Sequence, residues 1–192
     1  MKKIILTLFV ASSLLLYSIP SFAFSLSVGI PMSQTITGKQ AGKSYGNAPD
    51  KTSGYFLGVS FLSIGLGIDS YTTKFKTGDC KGCWEAEVDA GLKTNMTNIF
   101  YQLPVPVVNL IIGLGTGTTE YVGTSEGKDF SVFFDKGSAT QFYTSLGIPI
   151  IPLFDFHISY RMITSKNIKW KGTENKLDTS GSVMGAGFAF NF

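Results

Sequence analysis

From residue 24 onward, large apolar side chains alternate with small or polar ones in short runs. Phe24, Leu26, Val28 and Ile30 alternate with Ser25, Ser27 and Gly29. Tyr55, Leu57, Val59 and Phe61 alternate with Phe56, Gly58 and Ser60, and Ile64, Leu66 and Ile68 alternate with Gly65, Gly67 and Asp69 in a run reaching about Phe75. A period of two places successive side chains on opposite faces, so each run predicts a two-faced β-strand. A fourth strand, about Glu87 to Leu103, alternates less cleanly. Val88, Ala90, Leu92, Met96 and Phe100 stand against Asp89, Gly91, Lys93, Asn95 and Thr97, and Asn98 interrupts the apolar side, pointing to a bulge or a register shift. Leu110 to Val122 gives a fifth strand and the stretch around Gln141 to Ile148 a sixth. Asp155, His157, Ser159 and Arg161 alternate with Phe156, Ile158, Tyr160 and Met162 in a seventh. Ser180 to Phe192 ends the chain with Phe188, Phe190 and Phe192 against Gly187, Ala189 and Asn191, an eighth.

The connections alternate as regularly as the residues. Polar stretches at 38–54, 76–85, 123–137 and 169–179 are long, whereas Leu62-Ser63, Pro104-Val105-Pro106 and Pro149 to Pro152 are short. Eight antiparallel strands with alternating long loops and short turns predict an all-β, up-and-down transmembrane β-barrel. A lipocalin-like soluble barrel uses the same strand count turned inside out. The small face separates the two, because Gly58, Gly113, Gly115, Gly117, Gly185, Gly187 and Ala189 suit a crowded lumen better than a watery surface. Glycine therefore turns in and the large aliphatic and aromatic side chains turn out to lipid. A closed ring also pairs every backbone group within the protein, which hydrocarbon demands.

Lys2 and Lys3, the apolar run Ile4 to Leu16, and Ser21-Phe22-Ala23 have the layout of a secretory signal peptide, so residues 1–23 are expected to be removed and 24–192 to form one barrel domain. The formal net charge of +3 then falls to +1, and basicity gives no argument for nucleic acid. Twenty-two Gly and 16 Phe with 15% charged residues fit a barrel wall in lipid better than a soluble secreted domain. The terminal Phe192, Phe190 two before it and Gly187 five before it resemble the C-terminal signal of bacterial outer-membrane barrels, although Gly185 stands where that signal has a polar residue. The whole layout resembles the small OmpA/OmpX-type barrels. That resemblance implies insertion by the barrel assembly machinery, contact with outer-membrane lipid and lipopolysaccharide, and a role in envelope integrity or adhesion through the outside loops.

Candidate chemistry is sparse. The inward polar set comprises Asp69, Asp89, Lys93, Asp155, His157 and Arg161, and buried charges must pair. Asp69 and Arg161 fall at similar height on strands facing each other, which predicts an ion pair plugging the lumen with Lys93 nearby. Lysines in the outside loops, with acids such as Asp50, Glu126 and Asp178 interspersed, read first as a solvated surface and second as a patch for lipopolysaccharide phosphates. Cys80 and Cys83 share the second long loop, and in an oxidising compartment they are expected to form a disulfide. Zinc would need two more ligands, so neither a metal nor a cofactor is expected. His157-Ile-Ser159 with the downstream Glu174 resembles the base, nucleophile and acid of an outer-membrane lipid A deacylase, but Tyr160 replaces that family's Asn. The leading expectation is a non-enzymatic barrel with a filled lumen; a narrow small-solute pore and the deacylase are the alternatives.

Overall fold

The fold is a computed structural model that describes residues 24–38, 49–75, 89–105, 108–125, 128–151, 153–172, 174 and 176–192. The expected signal peptide and the expected Cys80–Cys83 disulfide lie outside these residues. In chain order the strands are β1 (Phe24–Ile36), β2 (Pro49–Phe61), β3 (Ile64–Phe75), β4 (Asp89–Val105), β5 (Val108–Ser125), β6 (Lys128–Asp129), β7 (Gly137–Ile151), β8 (Phe154–Thr164), β9 (Ile168–Lys169), β10 (Lys176–Leu177) and β11 (Gly181–Asn191). The eight long ones pair antiparallel with their neighbours, and β11 returns to β1 to close the ring. At the closure, Phe192 N donates to Phe24 O at 2.8 Å and Phe24 N to Phe192 O at 3.2 Å.

The wall is greasy outside and small or polar inside. Ile64, Leu66 and Ile68 of β3 are exposed, whereas Gly65, Gly67 and Asp69 between them are buried. Glycine makes room for rings on the neighbouring strand. Gly65 faces Phe100 and Gly113 faces Tyr143 in register, and a Cβ on either glycine would overlap the ring. Outward apolar residues form a belt nearest the short turns. Beyond it the outer wall becomes polar, as at Ser70, Thr72 and Lys74 of β3 or Thr116, Thr118 and Glu120 of β5. Rings gather at the short-turn edge of the belt: Phe154 lies 5.0 Å from Phe188 and 4.8 Å from Phe190, centroid to centroid.

Three expectations are corrected. β2 starts at Pro49 and β7 at Gly137, inside stretches read as loops, because strands that rise above the belt become polar without ceasing to pair. The stretches 123–137 and 169–179 also carry structure: β6 adds to the upper end of β5, and β9 pairs with β10. β4 presents the opposite face from the one expected. Leu92, Met96, Asn98 and Phe100 point into the lumen, and Lys93, Thr97, Ile99 and Tyr101 lie on the outer wall. The ladders on both sides of β4 run without a bulge. Its neighbours β3 and β5 contribute glycine at this height, so β4 must supply the volume that fills the lumen.

Above the wall, two of the outside loops are fastened together. Phe134 and Trp170 form an antiparallel bridge; Asp135 N donates to Lys169 O at 2.9 Å and Lys171 N to Phe133 O at 2.8 Å. Rings continue from this bridge across the mouth: Trp170 to Phe134 at 5.6 Å, Phe134 to Tyr121 at 5.0 Å, Tyr121 to Phe75 at 6.4 Å. Nearby, Ser131 N donates to Asp129 Oδ1 at 2.7 Å and holds that carboxyl below the ordinary carboxylate range.

Candidate functional site

The chain's only Arg and one of its buried acids meet in the middle of the lumen. Arg161 projects inward from β8 and Asp69 from β3, on the far side of the ring. Arg161 Nε donates to Asp69 Oδ2 at 3.0 Å, and the two residues are 6% and 2% exposed. Asp69 Oδ2 also accepts from Gln141 Nε2 at 2.7 Å, which in turn donates to Asn98 Oδ1 at 2.9 Å. Arg161 Nη1 donates to Ser159 Oγ. The guanidinium lies over the Phe56 ring, 3.5 Å from its centroid, and 4.9 Å from that of Tyr143. Two rings and a carboxylate thus replace the water the cation has lost, an arrangement suited to Arg's planar, weakly hydrated head.

A second polar cluster sits nearer the short turns. Asp155 Oδ2 accepts from Asn191 Nδ2 at 2.9 Å and Asn109 Nδ2 at 3.1 Å, and His157 Nε2 stands 3.8 Å away without a hydrogen-bond partner. His157 Nδ1 is 3.1 Å from Ser145 Oγ. Between the clusters lies a cavity of about 50 Å³, bounded by Gly58, Asn98, Ser145, His157 and Arg161. That is room for about three or four waters. Above the ion pair an apolar layer of Phe56, Tyr71, Met96, Ile163 and Val183 fills the bore. Higher still, Thr73 of β3 donates to Gln34 of β1, past the intervening β2, and lies 3.0 Å from Thr52 Oγ1.

Asp69, Arg161, Asp155 and His157 therefore share the lumen. Lys93 does not join them. It sits on the outer wall of β4, in register with Glu120 of β5, because β4 turns its other face inward. The Asp89 side chain lies outside the described residues. Gly187 lines the lumen cavity, whereas Phe190 and Phe192 face outward. The signals for Gln141 and Asn191 were present in the alternation of their strands. Asn98 stood out as the polar interruption of β4, and its true role is to receive Gln141.

The three residues of the deacylase resemblance, His157, Ser159 and Glu174, are not brought together. His157 and Ser159 both face inward, but His157 engages Ser145 and Ser159 accepts from Arg161. Glu174 is exposed in the outer loop region, beyond the apolar layer. No protein-family model matches the chain, and no curated protein does. In fold it is similar to solved outer-membrane barrels. Neisserial surface protein A superposes with a TM-score of 0.61 at 13% identity, covering 88% of this chain and 97% of that one. Outer membrane protein W of E. coli superposes with a TM-score of 0.52 at 12% identity, covering 88% and 97%. The chain thus has the fold of the small eight-stranded outer-membrane β-barrels.

Proposed function

We propose that this chain is an integral barrel of the bacterial outer membrane, delivered by a cleaved signal peptide, with a sealed lumen and a structural or surface-interaction role. The observation that carries the reading is the inversion of the wall. An unbroken belt of exposed Leu, Ile, Val and Phe surrounds a bore closed by Arg161, Asp69, Phe56 and Tyr143. Such a belt is unfavourable in water and matches the hydrocarbon core of a bilayer. The short turns then face the periplasm and the fastened loops face outward. Partners of the reading are outer-membrane lipid, the barrel assembly machinery and a surface ligand met by the loops. Planar-bilayer recording tests the plug: the purified barrel should leave the bilayer silent, and stable conductance steps would favour the narrow pore instead. Unboiled samples should migrate as a compact band on detergent gels, and material soluble without detergent would refute membrane insertion. The non-enzymatic reading predicts that lipid A recovered from cells with and without the protein has the same mass.

A further inference from the structure

The wall is not paired to the same height all the way round. β1 and β2 are joined from Phe24↔Phe61 to Gly29↔Phe56. Beyond that point β1 runs on along β11 to Ile36, and β2 lies along β3 back to Pro49. Among the described residues, no pairing joins these two upper edges. Three local features set the break. Pro31 has no N–H to give a ladder, the register of β1 shifts between Pro31 and Ser33, and Gly54 turns β2 at φ 148°. Backbone groups on a free edge need water or a polar partner.

The seam opens at the upper rim of the apolar belt. Ile30, Met32 and Tyr55 flank it on the outside and are 59%, 65% and 46% exposed. Above them come Ser33, Thr35 and Ser53, then Lys51, which stands in register with Lys74 of β3. Asp50 is the acid of this stretch. Apolar surface below, edge amides that no described strand pairs at the boundary and the exposed Lys51 above form the profile of one kind of molecule: an amphiphile whose anionic head sits at the edge of the bilayer.

We propose that the open upper seam between β1 and β2 is a binding site for a phosphate-bearing lipid of the outer leaflet. Its acyl chain lies along Ile30, Met32 and Tyr55, and its phosphate accepts from the seam amides and from Lys51. The site rests on the membrane reading above, which decides that this height is the headgroup level. The test uses the full barrel purified in a non-ionic detergent, with native mass spectrometry after adding lipid A, phosphatidylglycerol, a phosphate-free glycolipid of equal chain length, or inorganic phosphate. Both phosphate-bearing lipids should give adducts that the phosphate-free glycolipid and inorganic phosphate do not. Lys51→Glu should weaken them at least about fivefold, since one lysine near an anionic lipid surface contributes a comparable factor. Lys136→Ala, just before the upper end of β7 on the opposite wall, should leave them unchanged. Equal adducts with the phosphate-free lipid, inorganic phosphate binding as well as lipid, or indifference to Lys51→Glu would each overturn the site. A barrel that folds in detergent but shows no preference removes the site and leaves the membrane reading intact; a chain that stays soluble without detergent removes both.

Discussion

Replacing Arg161 by Met tests how dry the lumen is. The substitution keeps an unbranched apolar stem and removes the guanidinium and its charge. Asp69, 2% exposed, would keep its bond from Gln141 but lose its cation at 3.0 Å. Stranding a buried charge costs about 3–5 kcal/mol. The lost stacking on Phe56 and Tyr143, worth about 0.5–2 kcal/mol, falls within that loss. The reverse change, Asp69→Asn, should cost less, about 2–3 kcal/mol, because the two rings and Ser159 still receive the guanidinium. The double variant carries no stranded charge and should cost about 2 kcal/mol, so the cycle should show a coupling of at least about 2 kcal/mol. Reversible urea unfolding in thin-bilayer vesicles, read by tryptophan fluorescence and by the folded gel band, gives all four corners. Additivity within about 0.5 kcal/mol, or a loss below about 1 kcal/mol for Arg161→Met alone, would mean that water already screens the pair. The description of a sealed bore would then be wrong.

Other outcomes follow from the same geometry. Gly113→Ala should destabilise the barrel by about 1–3 kcal/mol by forcing the Tyr143 ring aside, seen as a lower urea midpoint. Asn98→Leu leaves Gln141 Nε2 without one of its acceptors and should cost about 1–3 kcal/mol, whereas Lys93→Ala on the outer wall should stay within about 0.5 kcal/mol; equal losses would mean that β4 has been given the wrong face. The Asp129 carboxyl should titrate below the ordinary range by NMR and return to it in Ser131→Pro, which removes the donating amide. The sign is that of a depressed acid: its contribution to the local turn is present above the unfolded pKa and is lost as pH falls through the folded one.

Much of the fold could be read from alternation, because a thin wall between lipid and a crowded bore leaves each residue only two environments. Ile64 to Asp69 and Asp155 to Met162 show this plainly: every apolar residue faces out and every small or polar one faces in. The same logic misreads β4. A strand between two glycine-bearing neighbours must turn its bulk inward, so Leu92, Met96 and Phe100 fill the bore. Its outer positions Lys93 and Asn95 lie above the belt, where nothing requires them to be apolar. Volume is a property of the ring rather than of one strand, which is why local pattern missed it. The meeting of Asp69 and Arg161 could be inferred from their heights. The shared acceptor linking Gln141 to Arg161 could not, because it depends on side-chain reach across strands distant in sequence.

The bridge between Phe134 and Trp170 has a consequence for how the exterior face can change over generations. Loops on a rigid scaffold are ordinarily free to lengthen one at a time. Here a residue inserted beside Trp170 would shift its ring off Phe134 and break the two amide bonds that flank the bridge. The two segments can therefore drift only as a pair, and this end of the barrel presents a single stiff ledge instead of two independent fingers.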